Sequence, residues 1–314
     1  MIKPTADRAP LGIFQVVVAV MLFSGHDLCS KYLAGLYPVI MVVWARYTVH
    51  TLAMFTLFAP KYRLSLVRTR RPGLQVVRAI CLLGSSLFFT SSLVFIPLAE
   101  ATAINFMAPL FVTALSAPLL KERVTPGQWL AVCTSFLGIV FIVRPGGAMF
   151  NPATLLVVMA ALCFSGYQLL TRVLRATDSP NTSNFLTGLV NTVCLSAMLP
   201  LVWQDLHLEH ALIALCMGCC GMLGHLLLTH AFQHAPPAVL APFSYLQIVF
   251  AGAIGYLVFG DTPDVFAYAG IGLICGSGLM VVFLQRPGRS VLPASPGGGS
   301  QVLMTPGVGR NHLP

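Results

Sequence analysis

Two pairs of ionisable residues lie four positions apart inside otherwise apolar stretches: Asp27 with Lys31, and Arg46 with His50. Residues at i and i+4 of an α-helix share one face, and an acid on the N-terminal side of a base is the favourable order for an ion pair. The Asp27 and Lys31 spacing therefore predicts an ion pair within one helix, either a coupling or gating element or a static salt bridge. If the protein carries protons, Asp27 is the carboxylate that we expect to bind them.

Arg46 is the strongest candidate for a binding residue. It lies seven residues after Val39, the start of its apolar stretch, or about 10 Å into a membrane helix at 1.5 Å per residue. A charge near the centre of such a helix costs about 2.5 to 3.5 kcal/mol. Arg46 therefore either lines a cavity and binds an anionic or aromatic substrate group, or snorkels to the lipid headgroups. His50, one turn deeper, is a hydrogen-bond donor, a proton carrier or a neutral packed side chain.

Further polar side chains occur at membrane depth in other stretches. Each is explained most simply by hydrogen bonding between helices, but together they complete a predicted substrate-binding set. With Arg46 and His50, that set comprises Asn105, Tyr167, Gln168, Tyr245 and Gln247.

Composition identifies the class of protein. Only 9% of the residues are charged and 57% are hydrophobic, whereas a soluble domain has roughly 25% charged residues, so a soluble protein is excluded. Ten apolar stretches approach the roughly 20 residues that a membrane helix needs, and they predict an all-α fold with ten transmembrane helices. We place them at Leu11–Leu33, Val39–Phe58, Leu74–Phe95, Ala101–Leu120, Gln128–Val143, Pro152–Val173, Phe185–Trp203, Ala211–His230, Val239–Phe259 and Val265–Leu284.

An internal repeat divides the chain into two halves. Phe23–Leu33 and Phe164–Leu174 are identical at five of eleven positions, and Lys31 corresponds to Arg172. Because each half holds five helices, an odd number, the second half is expected to be inverted relative to the first, as in many secondary transporters. The predicted organisation is a cytoplasmic segment 1–10, five-helix repeats at 11–145 and 152–285, and a disordered tail 286–314. Lys31 and Arg172 then lie at opposite membrane faces, where they are candidate gating residues.

Basic residues predict the orientation, because Lys and Arg accumulate on the cytoplasmic side. With the N-terminus inside, only Lys31 and Arg144 fall on the outer side. Fifteen fall on the inner side, which predicts that both termini are cytoplasmic. These residues are Lys3, Arg8, Lys61, Arg63, Arg68, Arg70, Arg71, Arg78, Lys121, Arg123, Arg172, Arg175, Arg286, Arg289 and Arg310. We expect the protein to reside in a bacterial inner membrane.

Several residues are expected to be structural. Thr125-Pro126 and Thr262-Pro263 have the pattern of helix starts, with Thr as N-cap and Pro in the first turn, and Gln128 completes a capping box in the first copy. Glycines in the eighth and tenth helices are expected to allow close helix packing. They are Gly218, Gly221, Gly224, Gly272 and Gly276.

Metal binding and catalysis are disfavoured. Cys216, Cys219 and Cys220 share a helix face and precede His225, His230 and His234, but no paired C-x-x-C motif accompanies them. The chain also lacks the H-E-x-x-H and G-x-S-x-G motifs of hydrolases. We therefore expect no catalytic residues, no metal, no bound cofactor and no nucleic-acid partner. The expected partners are a small-molecule substrate, the lipid bilayer and protons if transport is proton-coupled, with the protein a monomer or homodimer.

Several short motifs resemble the EamA-type branch of the drug/metabolite transporter superfamily, and the resemblance runs over about Leu11 to Leu284. They are Lys31-Tyr-Leu33, Arg46-Tyr47, Leu98-Ala-Glu-Ala-Thr-Ala-Ile104, Pro109 and Leu120-Lys-Glu-Arg-Val124. The resemblance implies a ten-helix bundle that surrounds a central cavity and works by alternating access. Because Leu246 or Ile248 replaces a proline like Pro109, the ninth helix is expected to be straighter than the fourth.

Within that branch, Met41–Tyr47 and Ala241–Gln247 are most similar to proteins that import riboflavin or S-adenosylmethionine. An exporter of amino acids, drugs or metabolites with the same fold remains an alternative. A non-transporting membrane enzyme or sensor is the alternative from another class.

Overall fold

The computed structural model describes residues 9–62, 66–120, 125–143, 151–174, 177–235 and 237–284. These residues form twelve α-helices and a short 3-10 turn, and they contain no β-strand. The helices are α1 (Ala9–Ala34), α2 (Val39–Tyr62), α3 (Pro72–Leu93), α4 (Leu98–Asn105), α5 (Ala108–Leu120), α6 (Pro126–Val143), α7 (Thr154–Leu174), α8 (Pro180–Met198), α9 (Leu208–His234), α10 (Pro237–Ser244), α11 (Leu246–Phe259) and α12 (Val265–Leu284). The tail at 286–314 and most of the segment 1–10 lie outside the described residues, as does most of the motif Leu120–Val124.

Nine segments of the described chain are long and apolar enough to cross a membrane, and a shorter apolar segment, Val265–Met280, lies in α12. Helices α4 and α5 share one crossing, Leu98–Ser116, and the end of α10 joins α11 in another, Pro242–Phe259. Large apolar side chains such as Phe14 and Leu257 are exposed, as expected for a surface that faces lipid. The chain is a multi-pass, all-α membrane protein, and the prediction of ten helices in two repeats is confirmed.

Two of the crossing helices are interrupted near their middle. Residues 106–107 separate α4 from α5, and Tyr245 separates α10 from α11. Pro109 lies in the first turn of α5 and cannot donate a backbone hydrogen bond to the preceding turn. The expectation of a straighter ninth helix, drawn from Leu246, stays a prediction: both crossings are interrupted, by one residue at Tyr245 and by two at 106–107.

Side chains at equivalent positions of the two halves contact each other. The hydroxyls of Thr51 on α2 and Thr192 on α8 lie 3.2 Å apart, and these residues are 141 positions apart in sequence. Ser135 on α6 and Ser277 on α12, the last helices of the two halves, also share a hydrogen bond between hydroxyls. Equivalent helices of the two halves can meet in this way only close to the axis that relates the halves, so α2, α6, α8 and α12 lie beside the pseudo-two-fold axis.

The contacts of Lys31 and of the end of α7 show that the repeats are inverted. Lys31 donates to the carbonyl of Ile96, just after the end of α3. Thr171, the neighbour of Arg172, accepts from Arg78, near the beginning of α3. Because the two ends of α3 are about 30 Å apart at 1.5 Å per residue, Lys31 and Arg172 lie at opposite ends of the bundle. We name these the outer and inner ends, following the predicted orientation.

Small residues let the helices approach closely, although not at every expected glycine. A Cβ at Gly218 on α9 would lie 2.5 Å from Val49 on α2, and nothing lies within 4 Å of the equivalent point at Gly272 or Gly276. The predicted packing role of Gly272 and Gly276 was therefore wrong. The close approach of α12 to α6 occurs instead at Gly270, whose Cβ would lie 2.5 Å from the carbonyl oxygen of Gly138, since that face is turned away from lipid.

The helix caps agree with the sequence in one half only. The Thr125 N–H donates to Gln128 Oε1 and the Gln128 N–H donates to Thr125 Oγ1, so the predicted capping box is confirmed. In the second half α12 begins at Val265, and the carboxylate of Asp264 accepts from the N–H of Ala267. The predicted N-cap at Thr262 was wrong because Asp264 is the stronger acceptor one residue before the helix.

Candidate functional site

A small cleft lies between the two halves near the middle of the bundle. Its volume is about 20 Å³, on the order of one water molecule, so the two halves are closed around it. Helices α2 and α3 of the first half and α7, α8 and α9 of the second half all contribute to its wall. The lining residues are Arg46, Tyr47, His50, Leu82, Tyr167, Asn184, Thr187, Gly188 and His225.

Arg46 is a half-buried cation on the wall of this cleft. Its guanidinium donates to Ser86 Oγ at 3.1 Å, and that hydroxyl also shares a hydrogen bond of 2.7 Å with the hydroxyl of Tyr47. No carboxylate in the described part of the chain lies within 4 Å of it. Because a guanidinium has five N–H donors, Arg46 keeps donors available for a group that enters the cleft.

Two histidines face each other beside Arg46. The rings of His50 on α2 and His225 on α9 lie edge to face with centroids 6.4 Å apart, and His225 also contacts the ring of Phe23 at 5.0 Å. His50 packs against Gly188 of α8, where a Cβ would come within 3.2 Å of the imidazole. The predicted His50 thus lies in the cleft, and His225, which the sequence presented only as part of a disfavoured metal cluster, lies opposite.

Tyr167 lies between the cleft and a fully buried cation, Arg78, which is only 1% exposed. The Arg78 guanidinium donates to the Tyr167 hydroxyl at 2.9 Å and stands 4.4 Å from the centre of that ring. It also donates to Thr171 at 2.6 Å, and to Thr187 and the carbonyl of Ser183. These acceptors are neutral, so Arg78 contributes a positive charge next to the cleft and also joins α3 to α7 and α8.

The predicted ion pair between Asp27 and Lys31 does not form, because each residue has a partner elsewhere. Asp27 Oδ1 lies 2.9 Å from Nδ1 of its neighbour His26, and Asp27 Oδ2 accepts from Gln247 Nε2 at 3.2 Å. His26 and Asp27 are 4% and 7% exposed. Spacing along one helix did not predict this arrangement, since Gln247 belongs to the other half of the chain.

Lys31 instead closes the outer end of the bundle. Its ammonium forms an ion pair of 2.5 Å with Asp261 in the loop before α12, donates to the carbonyl of Ile96 at 3.1 Å, and lies 4.8 Å from the ring centre of Phe259. The contacts join the first helix of the first half to the last loop of the second half. The two halves cannot separate at this end unless these contacts break.

Asp178 makes the corresponding connection at the inner end. Its carboxylate accepts from Thr69 at 2.5 Å, from Gln75 at 2.7 Å and from the backbone N–H of Arg70 at 3.2 Å. Partial burial by itself would raise the pKa of Asp178, but these hydrogen bonds and the charge of Arg70 outweigh it and hold the pKa below its usual value. The α7–α8 loop is thereby tied to the segment before α3.

The remaining predicted residues lie outside the wall of the cleft. Asn105 ends α4, and its Oδ1 is buried with no hydrogen-bond partner among the described residues. Tyr245 and Gln247 lie at the interruption between α10 and α11. Gln168 is half-buried on α7, and Arg172 is exposed in the last turn of the same helix. The described residues contain no group of three or more His, Cys, Asp or Glu side chains that could hold a metal ion.

Sequence reasoning missed four residues that matter here. Arg78 was assigned from the sequence to the basic residues of a cytoplasmic loop. It lies six residues inside α3, and a basic residue at that depth could have been recognised as a candidate for a buried charge. His26 is adjacent to Asp27 and could have been singled out for that reason. Asp178 and Asp261 lie in loops, and their partners are 103 or more positions away, so no local pattern indicated them.

Comparison with known proteins identifies the same architecture. The chain is 25% identical over 280 residues to the S-adenosylmethionine uptake transporter of Rickettsia bellii, covering 89% of this chain and 96% of that protein. It is 26% identical over 271 residues to the pseudopaline exporter CntI of Pseudomonas aeruginosa (84% and 93% covered). It is 28% identical over 223 residues to the riboflavin transporter of Vibrio cholerae (70% and 74% covered).

A solved crystal structure shares the fold, with a TM-score of 0.58 and 20% sequence identity, and it covers 88% of this chain and 98% of its own. The description "EamA-like transporter family" matches the sequence twice, over residues 10–144 and again over residues 151–283. With a match in both halves, the chain belongs to the EamA-like transporter family.

Proposed function

We propose that this protein is a secondary active transporter that carries a small polar metabolite across the bacterial inner membrane by alternating access. S-adenosylmethionine and riboflavin are the first substrates to test, since one relative is named for uptake of S-adenosylmethionine and another for transport of riboflavin. The observation that carries the proposal is the central cleft, whose wall comes from both halves and includes a cation without a carboxylate partner among the described residues. A substrate bound there contacts both halves, so its binding can favour their movement against each other.

Arg46 is the proposed anchor for the substrate. A guanidinium binds a carboxylate through two parallel hydrogen bonds and stacks on aromatic rings. His50 and Tyr167 supply further donors and an aromatic face on the same wall. This set suits a molecule with both a carboxylate and a planar ring, a combination that S-adenosylmethionine has, whereas riboflavin has the ring without the carboxylate.

Alternating access requires the ends of the bundle to open in turn. In the closed arrangement the ion pair between Lys31 and Asp261 holds the outer end, and the hydrogen bonds of Asp178 hold the inner end. Opening outward must break the first set and keep the second, and opening inward must do the reverse. Lys31 is thus proposed as a gating residue, with Asp261 as its partner.

An exporter of similar fold is the second candidate, because a relative is named as an exporter of pseudopaline. The geometry of the closed cleft does not distinguish import from export. The proposal that the protein is no enzyme rests on family membership and on the lack of a catalytic motif in the sequence.

Two measurements test the proposal. Purified protein should be stabilised against heat by its substrate, because a ligand that binds the folded state raises the unfolding free energy. Proteoliposomes loaded with unlabelled S-adenosylmethionine or riboflavin should then take up the labelled compound by exchange. A compound that neither stabilises the protein nor exchanges is removed as a substrate, and failure across a panel of metabolites would reject solute transport.

A further inference from the structure

We propose that His26 and Asp27 form a proton-binding site, and that a substrate carboxylate and a proton bind to the protein together. This inference rests on the proposed transport function, and it assigns the coupling ion and a direction of coupling: proton and substrate move the same way.

Asp27 differs from the other carboxylates by its depth. It lies seven residues before the end of α1, or about 10 Å from the outer end of that helix at 1.5 Å per residue, and it is 7% exposed. The other acidic residues of the described ranges lie in loops or in the first turn of a helix; they are Glu100, Asp178, Asp205, Glu209, Asp261 and Asp264. An ionisable group inside a membrane protein marks a functional site by default, with ion and proton pathways as the main examples.

The hydrogen bonds define how the proton is held. An ionised carboxylate only accepts hydrogen bonds, so His26 must donate its Nδ1 proton to Asp27 Oδ1, at 2.9 Å. The other ring nitrogen, Nε2, then carries a lone pair, and it is buried with no hydrogen-bond partner among the described residues. A hydronium ion transfers a proton to that lone pair: one O–H bond breaks, an N–H bond forms at Nε2, and a water molecule leaves. The pair thereby changes from net charge −1 to a neutral imidazolium carboxylate.

The charged and titratable groups around the pair decide when it takes up the proton. Arg46 of α2 acts on His26 electrostatically, and His26 in turn acts on His50 of α2 and on His225 of α9. Arg78 of α3 acts on His225 in turn. The other titratable side chains that the structure describes on α1 and on the helices packed against it are Cys29, Lys31 and Tyr32 on α1 itself, Tyr47 and Lys61 on α2, Cys81 on α3, Glu100 on α4, Glu209, His210, Cys216, Cys219, Cys220, His230 and His234 on α9, and Tyr256 on α11.

Arg46 is the group that links proton and substrate. Like charges repel, so the guanidinium of Arg46 and an imidazolium at His26 oppose each other while the cleft is empty. A substrate carboxylate bound to Arg46 neutralises that opposition and raises the proton affinity of His26. By linkage, the proton then raises the affinity for the substrate by the same factor, which is the requirement for symport.

Gln247 connects this site to the movement of the two halves. It belongs to the first turn of α11, directly after the interruption at Tyr245, and it donates to Asp27 Oδ2 at 3.2 Å. Its own carbonyl accepts from Ser24 of α1 at 3.3 Å. Interrupted helices of inverted-repeat transporters commonly hold the coupling ion. A metal cation is disfavoured, because hard cations require several oxygen ligands and here an imidazole is the nearest neighbour of the carboxylate.

The first test needs no substrate. Ala99 on α4 is 5% exposed and would contact a Cβ at Gly252 of α11 at 3.7 Å, so a cysteine there reports separation of the halves. In Ala99→Cys protein, labelling by an impermeant thiol reagent should change with pH, and Asp27→Asn or His26→Gln should make it independent of pH. Asp205→Asn, in an exposed loop, is the control and should keep the response. The proposal is overturned if labelling of Ala99→Cys protein does not change with pH. It is also overturned if the labelling still changes with pH after Asp27→Asn or His26→Gln is added.

The second test uses S-adenosylmethionine in proteoliposomes. An imposed proton gradient, acid on the side of the labelled compound, should stimulate uptake by about fivefold or more, the lower limit of typical coupling energies. Asp27→Asn and His26→Gln should lose the stimulation, whereas Asp205→Asn, in an exposed loop, should keep it. Stimulation that survives in both variants contradicts the proton site. If exchange is absent even in the unmodified protein, S-adenosylmethionine is rejected as substrate, and the labelling experiment still decides the proton site.

Discussion

The ring of Phe106 packs against the ring of Tyr245 with centroids 5.1 Å apart. Phe106 lies at the interruption between α4 and α5, and Tyr245 forms the interruption between α10 and α11. The weak points of two repeat-related helices therefore meet. If the helix on one side of an interruption rotates, the contact between Phe106 and Tyr245 can transmit that movement to the other half. The contact therefore provides a physical basis for coupled movement of the two halves.

The contact between Phe106 and Tyr245 also limits the size of the side chain that α12 can carry beside it. The hydroxyl of Tyr245 occupies the space beside Gly278 of α12, where a Cβ would overlap it. A residue larger than glycine at 278 would displace the side chain of Tyr245. Tyr245 lies two residues before Gln247, which donates to Asp27, so the aromatic contact and the glycine lie close in the chain to the proposed proton site.

The orientation of the protein can be tested by labelling cysteines. Because the basic residues lie overwhelmingly on one side, Arg68→Cys should be unreactive to an impermeant thiol reagent in intact cells and Gln204→Cys should react. Both positions are exposed. Permeabilised cells provide the control, since both cysteines should then be labelled. Equal labelling in intact cells, or labelling only at position 68, would contradict the predicted orientation.

The outer closure can be tested by locking it. Crosslinking Lys31→Cys to Asp261→Cys should stop exchange transport while substrate still stabilises the protein, because the cleft remains accessible from the inner end. The single cysteine variants treated with the same reagent are the controls, and cleavage of a reducible crosslinker should restore exchange. Continued transport by the fully crosslinked protein would remove Lys31 from the gate.

Close packing of α9 against α2 can be tested with a matched pair of glycines. Gly218→Ala places a methyl group 2.5 Å from Val49, and overpacking of this kind typically costs about 1 to 3 kcal/mol. Gly272→Ala meets nothing within 4 Å and should leave stability unchanged or slightly raised. Thermal unfolding in detergent measures both. Similar effects of the two substitutions would mean that α9 and α2 do not pack as described.

The inner closure has a pH dependence whose sign follows from Asp178. Its pKa is lower in the folded protein than its ordinary value near 3.8, so folding stabilises the ionised form. That stabilisation is complete above the ordinary pKa and is lost as the pH falls through the folded pKa. Asp178→Asn should therefore lower the melting temperature near neutral pH and approach the unmodified protein in acid. Asp205→Asn is the control, and a difference that grows in acid would have the wrong sign.

The parts of the fold that depend on local composition could be predicted from the sequence. Apolar length identified the membrane helices, the repeat identified two halves, and the capping box of Thr125 and Gln128 forms as expected. The interruption at Tyr245 was not expected because the comparison with Pro109 looked for a proline at the same position.

The parts of the site that depend on tertiary contacts could not be predicted. The i, i+4 rule compares residues within a helix, and it paired Lys31 with Asp27 although Asp261, 230 positions away, is its partner. Counting basic residues by sign alone likewise hid Arg78, because the positive-inside rule considers side and ignores burial. Residue type alone does not distinguish the charged residues of the site from the other charged residues of the chain. Their position within the bundle does.

The role of Arg46 is decided by comparing two substitutions. If Arg46 only snorkelled to lipid headgroups, Lys would serve equally well, because any long cationic side chain reaches the interface. If it binds a carboxylate or stacks on a ring, the planar fork is required. Arg46→Lys should then lose affinity nearly as severely as Arg46→Ala.

Loss of a charge-assisted hydrogen bond costs about 1.5 to 3 kcal/mol, so we expect a decrease of roughly 10-fold to 150-fold in substrate affinity for both variants. Binding and exchange should be measured at matched membrane expression, with Arg68→Lys, an exposed cation, as the control. The analogue of S-adenosylmethionine that lacks the carboxylate provides a second comparison: it should bind the unmodified protein weakly and should lose little further affinity in Arg46→Ala. Full activity of Arg46→Lys would remove Arg46 from the binding site, and with it the link between substrate and proton.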